Sequence, residues 1–308
     1  MKDHGNHGIL LQDFEAGVPP IMRHIADFSD AEYERYMGAY IELTRFAEDP
    51  MWLFVNDECL DLLDFIIGIA QYGMKKKHIP RTTERGTSIR IAAATKTMNA
   101  ANSCFVYRDQ RIAQAERISE ARSDDKATEQ TVKNLLNEFY DQCEAYRWMI
   151  EARNALVHID LMAIKMSVSL AVGREPVIVL DLDNEVVSQV RNLNPKKPNE
   201  KIAGYLEQLK GMPQDLSVFK LLDSIKDEMP KFNEKVLNAL YPDEVMRPYG
   251  EIVCELVERF EGKRGAYCFR TGPFSERGPA PYSEMNPQVL AYAQYLVHGP
   301  EEEAPSHP

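Results

Sequence analysis

Three residues near the middle of the chain have the types and spacing for acid–base chemistry on a phosphate. They are Arg153, Asn154 and His158, within the stretch EARNALVHID at positions 151–160. Arginine presents a planar fork of donors that matches phosphate oxygens, and it keeps its charge. Histidine gives or takes a proton near neutrality. An asparagine amide orients an imidazole or a ribose hydroxyl by hydrogen bonding. Together these types suit attack of a ribose 2′-hydroxyl on the neighbouring phosphate. His158 would move a proton, Arg153 would stabilise the charged pentacoordinate phosphorane, and Asn154 would orient the imidazole. Such chemistry calls for no metal or other cofactor.

Position on a helix decides which of these groups can meet. At about 100° per residue, Arg147, Glu151, Asn154 and His158 form one polar stripe. Trp148, Ala152, Ala155 and Leu156 fall on a different, apolar face. Arg153 starts about 140° from His158 and reaches the stripe only with its long side chain or through local unwinding. That offset hints that guanidinium and imidazole meet across an interface. Arg108 and Arg111, on the preceding helix, are candidates with Arg147 to line a basic cleft that grips RNA phosphates. The blander reading also fits these residues. In it His158 and Asn154 cap a helix end, Arg153 pairs with a carboxylate, and Arg108 and Arg111 are solvated beside Asp109 or Glu116.

The run RNALVH resembles the R-x(4–6)-H motif of the HEPN superfamily, including a polar residue directly after the arginine. The resemblance implies a small helical bundle with the motif at the end of a late helix. It further implies a metal-independent ribonuclease in which Arg153 and His158 are catalytic and Asn154 supports them. Members occur among toxins of toxin–antitoxin systems, abortive-infection proteins and RNA-targeting effectors of antiviral defence. The expected partners are therefore RNA, a second copy in a homodimer whose two motifs share one cleft, and an antitoxin or regulatory protein. The other reading of the same bundle is a non-catalytic module that binds nucleotides or protein.

The elements that must position the motif follow from periodicity. Residues 1–27 read as an irregular extension. Ser29 and Glu32 make a capping-box signature, predicting a helix over about 30–48. Helices over about 51–72, 87–119 and 127–158 complete a four-helix bundle spanning 28–160. The third is rich in small residues at IAAATKTMNAANS, and RSDDKAT breaks it from the fourth. From Ile164 the pattern alternates every second residue, predicting a β-hairpin over 161–190. Further helices are predicted over about 199–210, 215–240 and 243–261. Residues 263–308 read as a Gly/Pro-rich loop, a short helix near 288–297 and a disordered tail. The expected fold class is mainly α, a HEPN-like bundle with a β-hairpin and additional C-terminal helices.

Bulk composition narrows the function classes. In 308 residues the hydrophobic fraction is 44% and the formal charge −12. That supports a real core and opposes general nucleic-acid binding, so any RNA contact must be local. Five cysteines without a C-x-x-C argue against a disulfide framework or thiolate zinc site. There is no signal-peptide pattern and no apolar run long enough for a bilayer, so a soluble cytoplasmic protein is expected. Asp57, Asp61 and Asp64 share one helical face and read as a solvated acidic surface. The zincin, nucleophile-elbow, P-loop and dinucleotide-binding signatures are absent from the sequence.

Overall fold

The computed structural model describes residues 6–13, 21–76, 84–158, 160–161, 164–169, 177–182, 218–260, 265–273 and 281–299. In chain order the elements are β1 (His7–Asp13), β2 (Ile21–Phe28), α1 (Asp30–Ala47), α2 (Pro50–Lys76), α3 (Glu84–Arg122), α4 (Ala127–Gln142) and α5 (Glu144–His158). There follow β3 (Ile164–Ser169), β4 (Val177–Leu182), α6 (Val218–Leu240), α7 (Asp243–Glu258), β5 (Ala266–Arg270), β6 (Tyr282–Glu284) and α8 (Pro287–His298). The protein is mainly helical with an antiparallel hairpin, β3–β4, paired from Ile164↔Leu182 to Ser169↔Val177. The predicted helix over 199–210 and the C-terminal tail lie outside the described residues.

The chain forms two units, residues 50–240 and the remainder. The expected bundle segment 28–160 therefore spans both, because α1 packs with α7 and α8 rather than with α2–α5. Within that unit the capping box at the start of α1 is present: Glu32 N–H donates to Ser29 Oγ at 3.3 Å, and Ser29 N–H to Glu32 Oε2 at 3.0 Å. The first 27 residues are not wholly irregular, since 7–13 and 21–27 are strand, and 263–286 is not all loop. His7–Asp13 and Ile21–Phe28 join two C-terminal strands in an antiparallel sheet of order β2-β1-β5-β6. Ile9, Leu10 and Leu11 are consecutive buried residues of β1, so neither strict alternation nor helical spacing marks them. At Gly8 an added Cβ would lie 2.4 Å from Ala26 O, so the close approach of β2 requires glycine there.

The unit that carries the motif is built on α3, which packs against α2, α4, α5 and α6. Its small residues make this possible: Ala93, Ala94, Ala100, Ala101 and Ser103 are buried, so neighbouring helices approach without large side chains between them. Opposite them α5 contributes Tyr146, Trp148, Met149, Ala152, Ala155 and Leu156, and α6 contributes Ile225, Met229, Phe232 and Val236. The expected single helix over 127–158 is two helices. Cys143 adopts an extended conformation (φ −95°, ψ 103°) and ends α4, and α5 begins at the next residue. The motif thus ends a fifth helix rather than a fourth. The start of α4 is held by Asp124, which accepts from Ala127 N–H at 3.1 Å and Thr128 N–H at 3.3 Å.

Candidate active site at the end of α5

The polar stripe survives the break at Cys143, because all four of its residues lie beyond it, on α5. The core-facing residues of that helix lock its rotation against α3. His158 then emerges exposed in the last turn, while Asn154 and Arg153 are half-buried. Arg153 does reach the stripe through its own length. Its Nη1 lies 3.0 Å from His158 Nε2 and 3.4 Å from Asn154 Oδ1. Guanidinium and imidazole therefore meet within one chain, not across an interface. The guanidinium carries the donors in this contact, so Nε2 accepts and bears a lone pair there.

Phe105 of α3 gives Arg153 a platform, its ring centroid 3.9 Å from the guanidinium carbon. Such stacking is worth about 0.5–2 kcal/mol and restricts where the fork points. Two distinct constraints, ring and imidazole, thus aim one cation at the exposed end of α5.

Glu151, one turn N-terminal to Asn154, is only 2% exposed. Tyr140 of α4 donates to its Oε1 at 2.6 Å. Burial pushes its carboxyl above the ordinary glutamate value; the Tyr140 hydroxyl, Asn154, and the charges of Arg108 and Arg147 pull the other way without cancelling that shift. A buried carboxyl hydrogen-bonded across α4 and α5 anchors the stripe from below. Sequence reading placed Glu151 on the stripe but could not see it buried. Tyr140 and Phe105 lie on other helices, and no local pattern singles them out.

The three arginines expected to line a cleft separate. Arg108 and Arg147 are half-buried around Glu151, and Arg147 Nη1 also donates to Asp141 O at 3.4 Å. Arg111 does not belong with them. It is 1% exposed, donates to Gln114 Oε1 and Asn233 Oδ1 at 2.8 Å each, and sits 5.0 Å from the Tyr107 ring. A guanidinium committed to α6 in this way cannot grip an RNA backbone. Its expected role is corrected to that of a buried strut between α3 and α6.

Four of the five cysteines are buried, and burial pushes the Cys59 thiol up to about 12. These thiols behave as small apolar groups rather than nucleophiles. Among the described residues no helix is long and apolar enough to cross a membrane. Compared with models of known families, with curated proteins and with solved structures, the chain matches none.

Proposed function

We propose that this chain is a metal-independent endoribonuclease of the HEPN kind, acting through Arg153 and His158 with Asn154 in support. The observation that carries the reading is the 3.0 Å contact between the Arg153 guanidinium and His158 Nε2 at an exposed helix end. A phosphodiester entering there exchanges that contact for its own. Arg153 takes two phosphate oxygens, and the imidazole is released to accept the 2′-hydroxyl proton. The O2′–P bond forms as the O5′–P bond breaks, leaving a 2′,3′-cyclic phosphate and a 5′-oxygen that takes up a proton. Proton transfer of this kind contributes about 10²–10⁴-fold, and fixed positive charge on the phosphorane adds to it. Arg108 and Arg147, half-buried beside Glu151, would meet flanking phosphates.

Activity of this kind suits a toxin or phage-defence effector in the cytoplasm, kept in check by an antitoxin or regulatory protein and working as a homodimer. The alternative is a HEPN-like module that binds nucleotide or protein without cutting. It is favoured by the burial of Glu151 and the ring under Arg153, both of which would also serve a purely architectural helix end. Incubation with mixed RNA in EDTA separates the two. Wild-type protein should release fragments with cyclic phosphate ends, and the Arg153→Ala/His158→Ala variant should be slower by at least about 100-fold. Equal behaviour of the two proteins would remove the catalytic assignment.

A further inference from the structure

Among the described residues Glu151 is the only acidic side chain that is buried, and the cleavage step gives it no task. A carboxyl in such a place costs free energy unless its oxygens are bonded. Oε1 takes the Tyr140 hydroxyl at 2.6 Å. Asn154, one turn further along α5, is the other donor to this carboxyl, and Oε2 has no further partner among the described residues. An amide has one donor end and one acceptor end. With its N–H2 end turned to Glu151, Asn154 must turn Oδ1 the other way, and there Oδ1 accepts from Arg153 Nη1 at 3.4 Å. The second hydrogen of that same Nη1 goes to His158 Nε2 at 3.0 Å. Asn154 therefore bonds Arg153 and not the imidazole it was expected to orient.

We infer that Glu151 is a positioning residue of this site: through Asn154 it fixes the acceptor that holds Arg153 against His158. The physical reason is directional. A carboxylate oxygen only accepts, so the amide beside it has one orientation. Arg108 of α3 and Arg147 of α5 face the same carboxyl and favour the ionised form that the arrangement needs. A neutral amide at position 151 would donate as well as accept. With its oxygen on the Tyr140 hydroxyl, its N–H2 would face Asn154. The Asn154 amide would then reverse and set its own N–H2 against the guanidinium. Two donors would face each other, and the contact would open. Phe105 would still carry the guanidinium from below, so Arg153 would lose its direction rather than its place. This inference rests on the nuclease reading only for its consequence in catalysis, because the positioning itself is read without RNA.

Imidazole nitrogen shifts, read by NMR on the full chain without RNA at pH 8, report which ring nitrogen bears the proton. The His158 signals are assigned by their loss in His158→Gln. Wild type should carry the proton on Nδ1, because Nε2 accepts from Arg153. Glu151→Gln, an isosteric change, should give a mixture of the two tautomers with helical circular dichroism unchanged. Glu151→Gln/Asn154→Asp should return the wild-type pattern, because a carboxylate at 154 accepts from both neighbours. Tyr140→Phe removes a bond of the same carboxyl without reversing the amide. It should lower the melting temperature and leave the imidazole as in wild type. On RNA, Glu151→Gln should lower kcat/KM by about 10- to 100-fold, the cost of a misaimed phosphate-binding group. An imidazole unchanged in Glu151→Gln, a double variant that fails to restore it, or a Tyr140→Phe protein with the same mixture as Glu151→Gln would each overturn the proposal. A wild type that leaves RNA intact would remove the nuclease reading instead, and the imidazole would still decide the positioning.

Discussion

At the scale of single residues, burial decides what a polar side chain does. Arg108 and Arg111 are equally basic and three residues apart, yet Arg111 is sealed between α3 and α6 while Arg108 stays half-buried beside Glu151. Arg111→Met roughly keeps the volume but removes the guanidinium's donors to Gln114 and Asn233. It should cost about 2 kcal/mol in denaturant unfolding and leave the proposed RNA cleavage by the folded fraction unchanged. Glu151 makes a pH-dependent prediction. Its carboxyl holds its proton more tightly folded than unfolded, where the ordinary value is 4.5. The folded state therefore loses stability as pH rises through the raised value, and suffers no such loss below 4.5. Glu151→Gln fixes the uncharged form and can still accept from Tyr140. Its melting temperature relative to wild type should improve between pH 4 and pH 7, and a pH-independent difference would refute the buried-acid assignment.

At the scale of elements, caps and helix-to-helix ion pairs set the packing of α1 on α7. Arg35 of α1 donates to Glu255 of α7 in a bidentate pair, with Tyr36 Oη adding a third bond at 2.7 Å. The Arg35 guanidinium, and then the Tyr36 hydroxyl, hold the Glu255 carboxyl down at about 2. A depressed carboxylate contributes stability that is present above 4.5 and lost as pH falls through about 2. Glu255→Gln should therefore lower the melting temperature of this unit at pH 7, and the difference should shrink steadily from pH 4.5 toward pH 2. The capping box of α1 and the break at RSDDKAT were legible because their causes are local. Ser29 and Glu32 lie within one turn, and Ser123, Asp125 and Lys126 take positive φ, which ends a helix wherever it occurs. The interruption at Cys143 was not legible. No glycine or proline marks it, and both α4 and α5 pack on α3 and α6, so the change of direction is made by the tertiary packing.

At the scale of the whole molecule, the sheet ties the two ends of the chain into one unit. β1 lies between β2 and β5, with Leu10 opposite Cys268, and Arg270 of β5, fully buried, donates to His7 O at 2.7 Å. Deletion of residues 1–28 leaves β5 without its inner partner. Calorimetry should then show loss of the unfolding transition of that unit, with the transition of residues 50–240 retained; two unchanged transitions would show that the sheet is dispensable. By itself the sequence determined the helix periodicity, the hairpin, the caps and the polar stripe of α5, because each depends on residues within a few turns of one another. Only the tertiary structure decided that Arg153 rests on Phe105, that Glu151 is sealed under Tyr140, that Arg111 is a strut, and that an apparently formless N-terminus is the inner strand of a sheet. Those outcomes rest on contacts between distant segments, where burial and strand pairing override local preference.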